Sequence, residues 1–248
     1  MARADADFDQ NRASERIRIA AIALFKARGY HGTPVRELAQ AVRIETASLY
    51  YHFPSKQEIL SDLFDRTMDA LLEGLGQAIA SGSNPEERLR TFVRFHVLFH
   101  IARQDEAFIS HSEIRSLSAR NRRRNIAKRD RYERMVRGLL TAGVRAGDFE
   151  IADVRLASTA ILMMCSGVSD WFTGRGRLKG ARVADRYADM VIRMVTGSAG
   201  PRARQQGVAS PTRKVQPLQD RAKERERPRR RLRRNLLPEA GSNSARRA

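Results

Sequence analysis

Cysteine is almost missing from this chain. The single thiol, Cys165, rules out an intramolecular disulfide and any metal centre assembled from several thiolates, and it suits a reducing cytoplasm. No apolar run approaches the roughly 20 residues that a bilayer-spanning helix requires. The N-terminus, MARADADFDQNR, is too polar for a secretory leader. No glycine-rich phosphate loop is present, since Gly174-Arg-Gly-Arg-Leu has the wrong shape for one. No nucleophile, base and orienting group occur together, so catalysis is not expected, and no cofactor is implied. Sustained period-two alternation is absent as well, which leaves an all-α class. Acidic residues are outnumbered, 28 against 47 Lys and Arg, for a formal net charge of +19. Such an excess points to a polyanionic partner, nucleic acid or an anionic surface.

What is present is enough for one large or two modest domains: 248 residues, 42% of them apolar. The charge is unevenly spread. Residues 198–248 hold 15 basic and 4 acidic side chains, net +11, leaving 32 and 24, net +8, in residues 1–197. That last stretch is rich in Pro, Gly, Ser and Gln and contains Arg229-Arg-Arg-Leu-Arg-Arg234, so it reads as a disordered basic tail. Residues 1–11 read as a flexible arm.

Between these ends about nine helices are expected. Ile17, Ala20, Ala21, Leu24 and Phe25 repeat at helical spacing from Arg12 to Arg28, and Gly29 stops the helix. Lys56 to about Ala80 is a long helix that forms a lever between the two ends of the molecule. Asn84-Pro85 opens another, to about Gln104, and a segment near Asp105–Leu117 follows. Ala119–Ala146 carries Ile126, Met135, Val136, Leu139, Leu140 and Val144 on its inner side and ends at Gly147. Val154 to about Thr173, capped by Asp153, is apolar all round its centre, which implies burial from more than one direction. Val183, Tyr187, Met190, Val191, Met194 and Val195 mark the last helix.

The most informative stretch is Thr33–Lys56, TPVRELAQAVRIETASLYYHFPSK. Thr33 reads as an N-cap with Pro34 at the first helical position, opening a helix to about Ala41. Leu49 and Phe53, four apart, give a second helix its inward face. The opposite stripe of Thr46, Ala47, Tyr50 and Tyr51 is uncharged, hydroxyl-bearing and suited to the edges of bases in a major groove. Pro54 ends that helix, and Ser55-x-x-Glu58 caps the next.

These residues, above all Ala-Ser-Leu-Tyr-Tyr-His-Phe-Pro-Ser-Lys (Ala47–Lys56) after Thr33-Pro-Val-Arg-Glu-Leu-Ala, resemble the TetR family of bacterial transcriptional regulators over roughly residues 12–60. The resemblance implies an N-terminal three-helix helix-turn-helix domain, 12–58, and a ligand-binding and dimerisation domain, 59–197. It also implies double-stranded DNA as partner, and places Arg36 and His52 toward the DNA beside the stripe, with Thr33 and Lys56 on phosphates. Where the family has Ala-Gly at the turn, this chain has Val42-Arg43. Arg43 must therefore bear a left-handed backbone or reshape the turn, and it is a further candidate for phosphate contact.

A two-fold protein reads a palindrome, so a homodimer is expected. The last two helices have surplus apolar faces, and the family pairs them across the dimer; the candidates are Met164, Phe172, Tyr187, Met190 and Met194. Trp171 is open to this role or to a ligand site. Phe92, His96, Phe99 and His100 form an aromatic and imidazole stripe suited to a cavity wall. The two histidines lack a carboxylate or thiolate companion, so no metal is expected. Asn121-Arg-Arg-Arg-Asn125 with Lys128 and Arg129 is a basic cluster, a solvated helix start or, in the sharper reading, a place where Arg115, Arg120 and Arg122–Arg124 hold the phosphates of an acyl-coenzyme A effector. The second half, Arg129-Asp-Arg-Tyr-Glu133 through Gly147-Asp-Phe149 and Trp171, is similar to the branch of the family that governs fatty-acid and steroid catabolism. The expectation is thus a cytoplasmic repressor released by a small hydrophobic or acyl-coenzyme A ligand, with no membrane partner. A weakly specific DNA-coating protein driven by the basic tail is the alternative.

Overall fold

The computed structural model describes residues 2–197, with side chains from Gln10 onward, and the expected basic tail lies outside the described residues. Ten α-helices run in order: α1 (Ala2–Arg28), α2 (Val35–Ala41), α3 (Thr46–His52), α4 (Lys56–Ser81), α5 (Pro85–Ala102), α6 (Gln104–Ser112), α7 (Ala119–Ala146), α8 (Val154–Ser166), the single turn α9 (Val168–Trp171) and α10 (Gly180–Thr196). A 3₁₀ turn at Ile114–Ser116 links α6 to α7.

The stops and starts are local chemistry. Gly29 and Gly147 adopt φ of 74° and 79°, the left-handed cap that ends α1 and α7. Side-chain oxygens of Ser55, Asn84, Ser118 and Asp153 accept the N–H of the residue three further on, capping α4, α5, α7 and α8. Three expectations change. The first eleven residues are not a free arm: α1 begins at Ala2, and alanine at positions 2, 4 and 6 favours helix. Thr33 does not cap α2; Pro34 holds the cap position, while the Thr33 hydroxyl donates to Gly29 O at 2.9 Å and reaches Leu24 O at 3.3 Å. The expected helix from Val154 to Thr173 is broken at Ser166-Gly167, a pairing that often interrupts helices.

Two apolar clusters are strung along α4. The first gathers Ile17, Ala21 and Phe25 of α1, Leu38 of α2, Leu49 of α3 and Ile59, Leu60, Leu63 and Phe64 of α4. The second joins Met68, Leu71 and Leu75 of α4 to Leu89, Phe92 and Val93 of α5, Val136 and Leu140 of α7, Ile161 of α8 and Val191 of α10. Each Leu, Ile or Phe so buried contributes about 1.5–3 kcal/mol. The two clusters therefore part within α4, between Phe64 and Met68. Ile126, expected inside, is exposed on α7.

The 3₁₀ segment is clamped to the first cluster. Glu113 accepts the Tyr30 N–H at 3.0 Å, and the Gln57 amide donates to Tyr30 Oη at 2.9 Å and to Ser116 O at 2.6 Å. Farther along, Arg124 reaches Ser61 and Asp65, and Lys128 reaches Asp65 and Asp69, tying α7 to α4.

Candidate functional site

The first site is the face of α3. Leu49 is wholly buried and Phe53 nearly so, and because a helix turns 100° per residue their burial forces the opposite side outward. Ala47 is exposed, Tyr50 and Tyr51 are 45% and 74% exposed, and Thr46 is half-buried at the start of the helix. Arg36 on α2 is exposed. His52 is half-buried, its Nδ1 3.4 Å from Ser14 Oγ.

The turn that sets α3 against α2 runs through Val42, buried in the first cluster, and Arg43, whose φ is 58°. Arg43 is the one non-glycine residue among those described with a left-handed backbone, at a cost of about 1–2 kcal/mol. The missing glycine is thus tolerated by strain rather than by a reshaped turn. Backbone bonds Arg43 N to Gln40 O and Ile44 N to Ala39 O, both 3.0 Å, close it. The Arg16 guanidinium donates to Val42 O, and the Arg43 side chain remains exposed.

Two of the nine residues expected at DNA have other work. Thr33 is completely buried, so its hydroxyl cannot meet a phosphate. Lys56 donates to Tyr30 O at 2.8 Å and Thr33 O at 2.9 Å and lies 4.3 Å above the Tyr30 ring. Burial lowers its ammonium pKa, partly offset by Glu113. Its place is to lock the α1–α2 loop onto α4.

The second site is a cavity of about 230 Å³ lined by side chains of α4, α5, α6, α7 and α8. Of the expected ligand residues it is lined by His96, Phe99 and His100. Phe92 lies behind the wall, 5.6 Å from the His96 ring and 6.3 Å from that of Tyr132. Arg115 and Arg122 are exposed and Trp171 is more than half exposed; none of the three lines the cavity. Position on a helix explains this: the inner stripe of α7 runs Asn121, Asn125, Arg129, Tyr132, Val136, which turns Arg122 outward. The missed residues are Arg129, Tyr132, His111 and Ser166. For Arg129 and Tyr132 the signal was the row of polar side chains continuing the apolar stripe of α7 toward its N-terminus, whereas His111 on α6 and Ser166 on α8 had none.

The cavity wall contains a hydrogen-bonded chain. His96 Nδ1 is 2.7 Å from Tyr132 Oη, His96 Nε2 is 3.0 Å from Ser166 Oγ, and Ser166 Oγ is 3.4 Å from His100 Nε2. Burial holds His96 well below the usual imidazole range and brings His100 down to about 4, so both are neutral at pH 7. Burial also pushes the Tyr132 phenol well up, and Cys165, beside it, up to about 12. Arg129 donates through Nε to Asn125 Oδ1 at 3.0 Å and through an Nη to Ser110 O at 2.9 Å. Among the described residues, no group of three or more His, Cys, Asp or Glu is placed to hold a metal ion.

Apolar side chains are also uncovered on the last two long helices. Leu156 and Met163 of α8 are 67% and 72% exposed, and Met190 and Met194 of α10 are 43% and 46% exposed, while Met164, Phe172 and Tyr187 are half-buried against the second cluster. Trp171 stacks on Tyr187 at 6.5 Å. The expected burial of this helix from more than one direction is not met within the single chain, where Ser158, Ile161 and Cys165 are its buried residues. Among the described residues no helix is long and apolar enough to cross a membrane.

Comparison with known proteins gives two adjoining family matches: residues 17–63 match the model described as bacterial regulatory proteins, tetR family, and residues 82–195 match a tetracyclin repressor-like C-terminal domain. A TetR family transcriptional regulator of Thermus thermophilus, PfmR, is 36% identical, with a TM-score of 0.67 over 72% of this chain and 97% of that one. The HTH-type transcriptional repressor KstR2 of Rhodococcus jostii is 28% identical over 190 residues, 76% of this chain and 93% of its own. AibR, solved in complex with isovaleryl coenzyme A and operator DNA, is 26% identical, with a TM-score of 0.65 over 74% of this chain and 98% of that one.

Proposed function

This chain belongs to the tetR family of bacterial regulatory proteins, and from that premise we propose that it is a homodimeric repressor that grips a palindromic operator and releases it when a small organic effector fills its cavity. Membership makes it a DNA-binding transcriptional regulator and not an enzyme. The single observation that carries the reading is the uncharged outward face of α3, Ala47, Tyr50 and Tyr51, held there by the burial of Leu49 and Phe53. Exposed Arg36 and Arg43 flank it and supply phosphate contacts that set register while the tyrosine face reads bases. The uncovered residues of α8 and α10 are the dimer surface in this reading, and the cytoplasm is its location.

Repression and an acyl-type effector are supported by the repressor KstR2 and by the coenzyme A thioester bound to AibR. A cavity of about 230 Å³ compares with about 150 Å³ for one that holds benzene, room for about nine heavy atoms. It therefore takes an acyl part and leaves any coenzyme outside. Release follows from the helices that the two sites share. Helix α4 belongs to both apolar clusters, and α6 sends Ile109 into the first while Ser110 and His111 face the cavity. An effector that binds the tilted state of α4 more tightly shifts the population away from the spacing that suits adjacent grooves.

Selection of duplexes from random DNA by the full chain tests this reading. The expected product is an inverted repeat, and Tyr50→Ala is expected to weaken its binding by on the order of 1–3 kcal/mol without changing the melting temperature. Enrichment of no repeat, or binding indifferent to Tyr50→Ala, would sink the assignment.

A further inference from the structure

Two buried side-chain polar atoms among the described residues have no hydrogen-bond partner, His100 Nδ1 and the Asn125 amide nitrogen. Both bear on the cavity. His100 lines it, and Asn125 holds Arg129, which also lines it. The direction of the hydrogen-bonded chain identifies the first orphan. If the buried Tyr132 hydroxyl donates to His96 Nδ1, then His96 Nε2–H donates to Ser166, Ser166 donates to His100 Nε2, and His100 Nδ1 carries a proton. The reverse order leaves the buried phenol proton without an acceptor, which is the costlier choice. Because Arg129 Nε donates to Asn125 Oδ1, the free side of that amide is its NH₂. Both orphans are therefore donors.

Arg129 adds charge to them. Two of its five N–H groups are engaged, both by neutral oxygens, and no carboxylate among the described residues lies within ion-pair distance of it. Glu133, on the same wall, faces Arg137 at 3.8 Å instead. A partly buried guanidinium stays charged, and held out of water without a counter-ion it is complementary to an anion. Its planar fork suits a carboxylate. Met68, Leu71, Phe99 and Leu162 give the wall an apolar side, Thr67, Ser110 and His111 add neutral polar groups elsewhere on it, and the carboxylates of Asp130 and Glu133 disfavour a second negative charge.

We propose that the cavity binds a small organic monocarboxylate, its oxygens on the free N–H groups of Arg129 and its apolar body of about six carbons against Met68, Leu71, Phe99 and Leu162. The inference rests on the effector reading above and names the chemical class of that effector.

Calorimetry on the full chain without DNA tests it, with heptanoate, heptan-1-ol and heptanoyl-coenzyme A as probes. Heptanoate is expected to bind at least tenfold more tightly than heptan-1-ol, a contrast that needs no variant. Arg129→Gln is expected to abolish that preference while leaving heptan-1-ol unchanged. Equal binding of acid and alcohol, no binding of the acid, or binding of the thioester alone overturns the proposal and leaves the repressor reading intact. Heptanoate that binds through Arg129 but fails to release a selected operator upholds the proposal and defeats the effector reading instead.

Discussion

The two apolar clusters along α4 are built on opposite plans. Around α1, α2 and α3 the interior is largely apolar and its polar groups are satisfied: Thr33 has two carbonyls for its hydroxyl, the buried Tyr30 hydroxyl accepts from the Gln57 amide, and Tyr50 and Tyr51 stand outside. Around α5, α7 and α8 the interior holds neutral histidines, a phenol, a guanidinium and two donors without partners, while Leu156, Met163 and Met190 stand outside. A saturated interior makes a rigid body for presenting a surface. An unsaturated interior and an apolar exterior leave free energy available for a ligand and for a second subunit.

The contrast can be broken from its rigid side. Leu49→Ala removes a wholly buried side chain from the first cluster and is expected to cost about 3 kcal/mol. Chemical denaturation should register that loss, and binding to any selected operator should vanish with it. Acidification acts on the other side. Histidines that stay neutral in the fold but ionise when unfolded lose stability as pH falls from 6.5, their ordinary value, toward about 4, the value for His100. Between pH 7 and 5 His100 contributes a loss of about 2 kcal/mol, and His96 acts in the same direction. Hydrogen exchange should show α5 and α7 opening before α1 and α3, and simultaneous opening would erase the distinction. On the outer surface, Met163→Asp is expected to weaken self-association at least tenfold, about 1.4 kcal/mol, by sedimentation. The smallest effect belongs to the turn. Arg43→Gly relieves the φ of 58° and is expected to stabilise by about 0.5–1 kcal/mol. Because it also removes an exposed charge near the reading face, it should lower the salt slope of DNA binding by about 1.

The reading head was legible because its signals are local. Leu49 and Phe53 face one way by helical periodicity alone, and Arg43 stands where the family has a glycine, which narrowed the turn to a left-handed backbone or a reshaped one; the fold adopted the first. Legibility failed where a side chain answers to distant partners. Thr33 looked like a cap, yet its hydroxyl turns back to α1. Lys56 looked like a phosphate contact, yet it serves two carbonyls in the loop before α2. The cavity was half visible: His96, Phe99 and His100 share a stripe on one helix, whereas Arg129, Tyr132 and Ser166 come from two others and meet them only in the folded chain. Arg122 is exposed together with Arg123 and Arg124, and only the packing of α7 shows that this run faces away from the cavity while Arg129 faces it.

By itself the order of residues determined the helices, their stops and the face that α3 presents, since caps, glycines and periodicity act within a turn or two of chain. Which polar groups lose water, which arginine is left without a counter-ion and which apolar stripe stays uncovered were decided by tertiary packing. Desolvation and ion pairing depend on what several helices bring within a few ångströms, and separation along the chain carries no record of that.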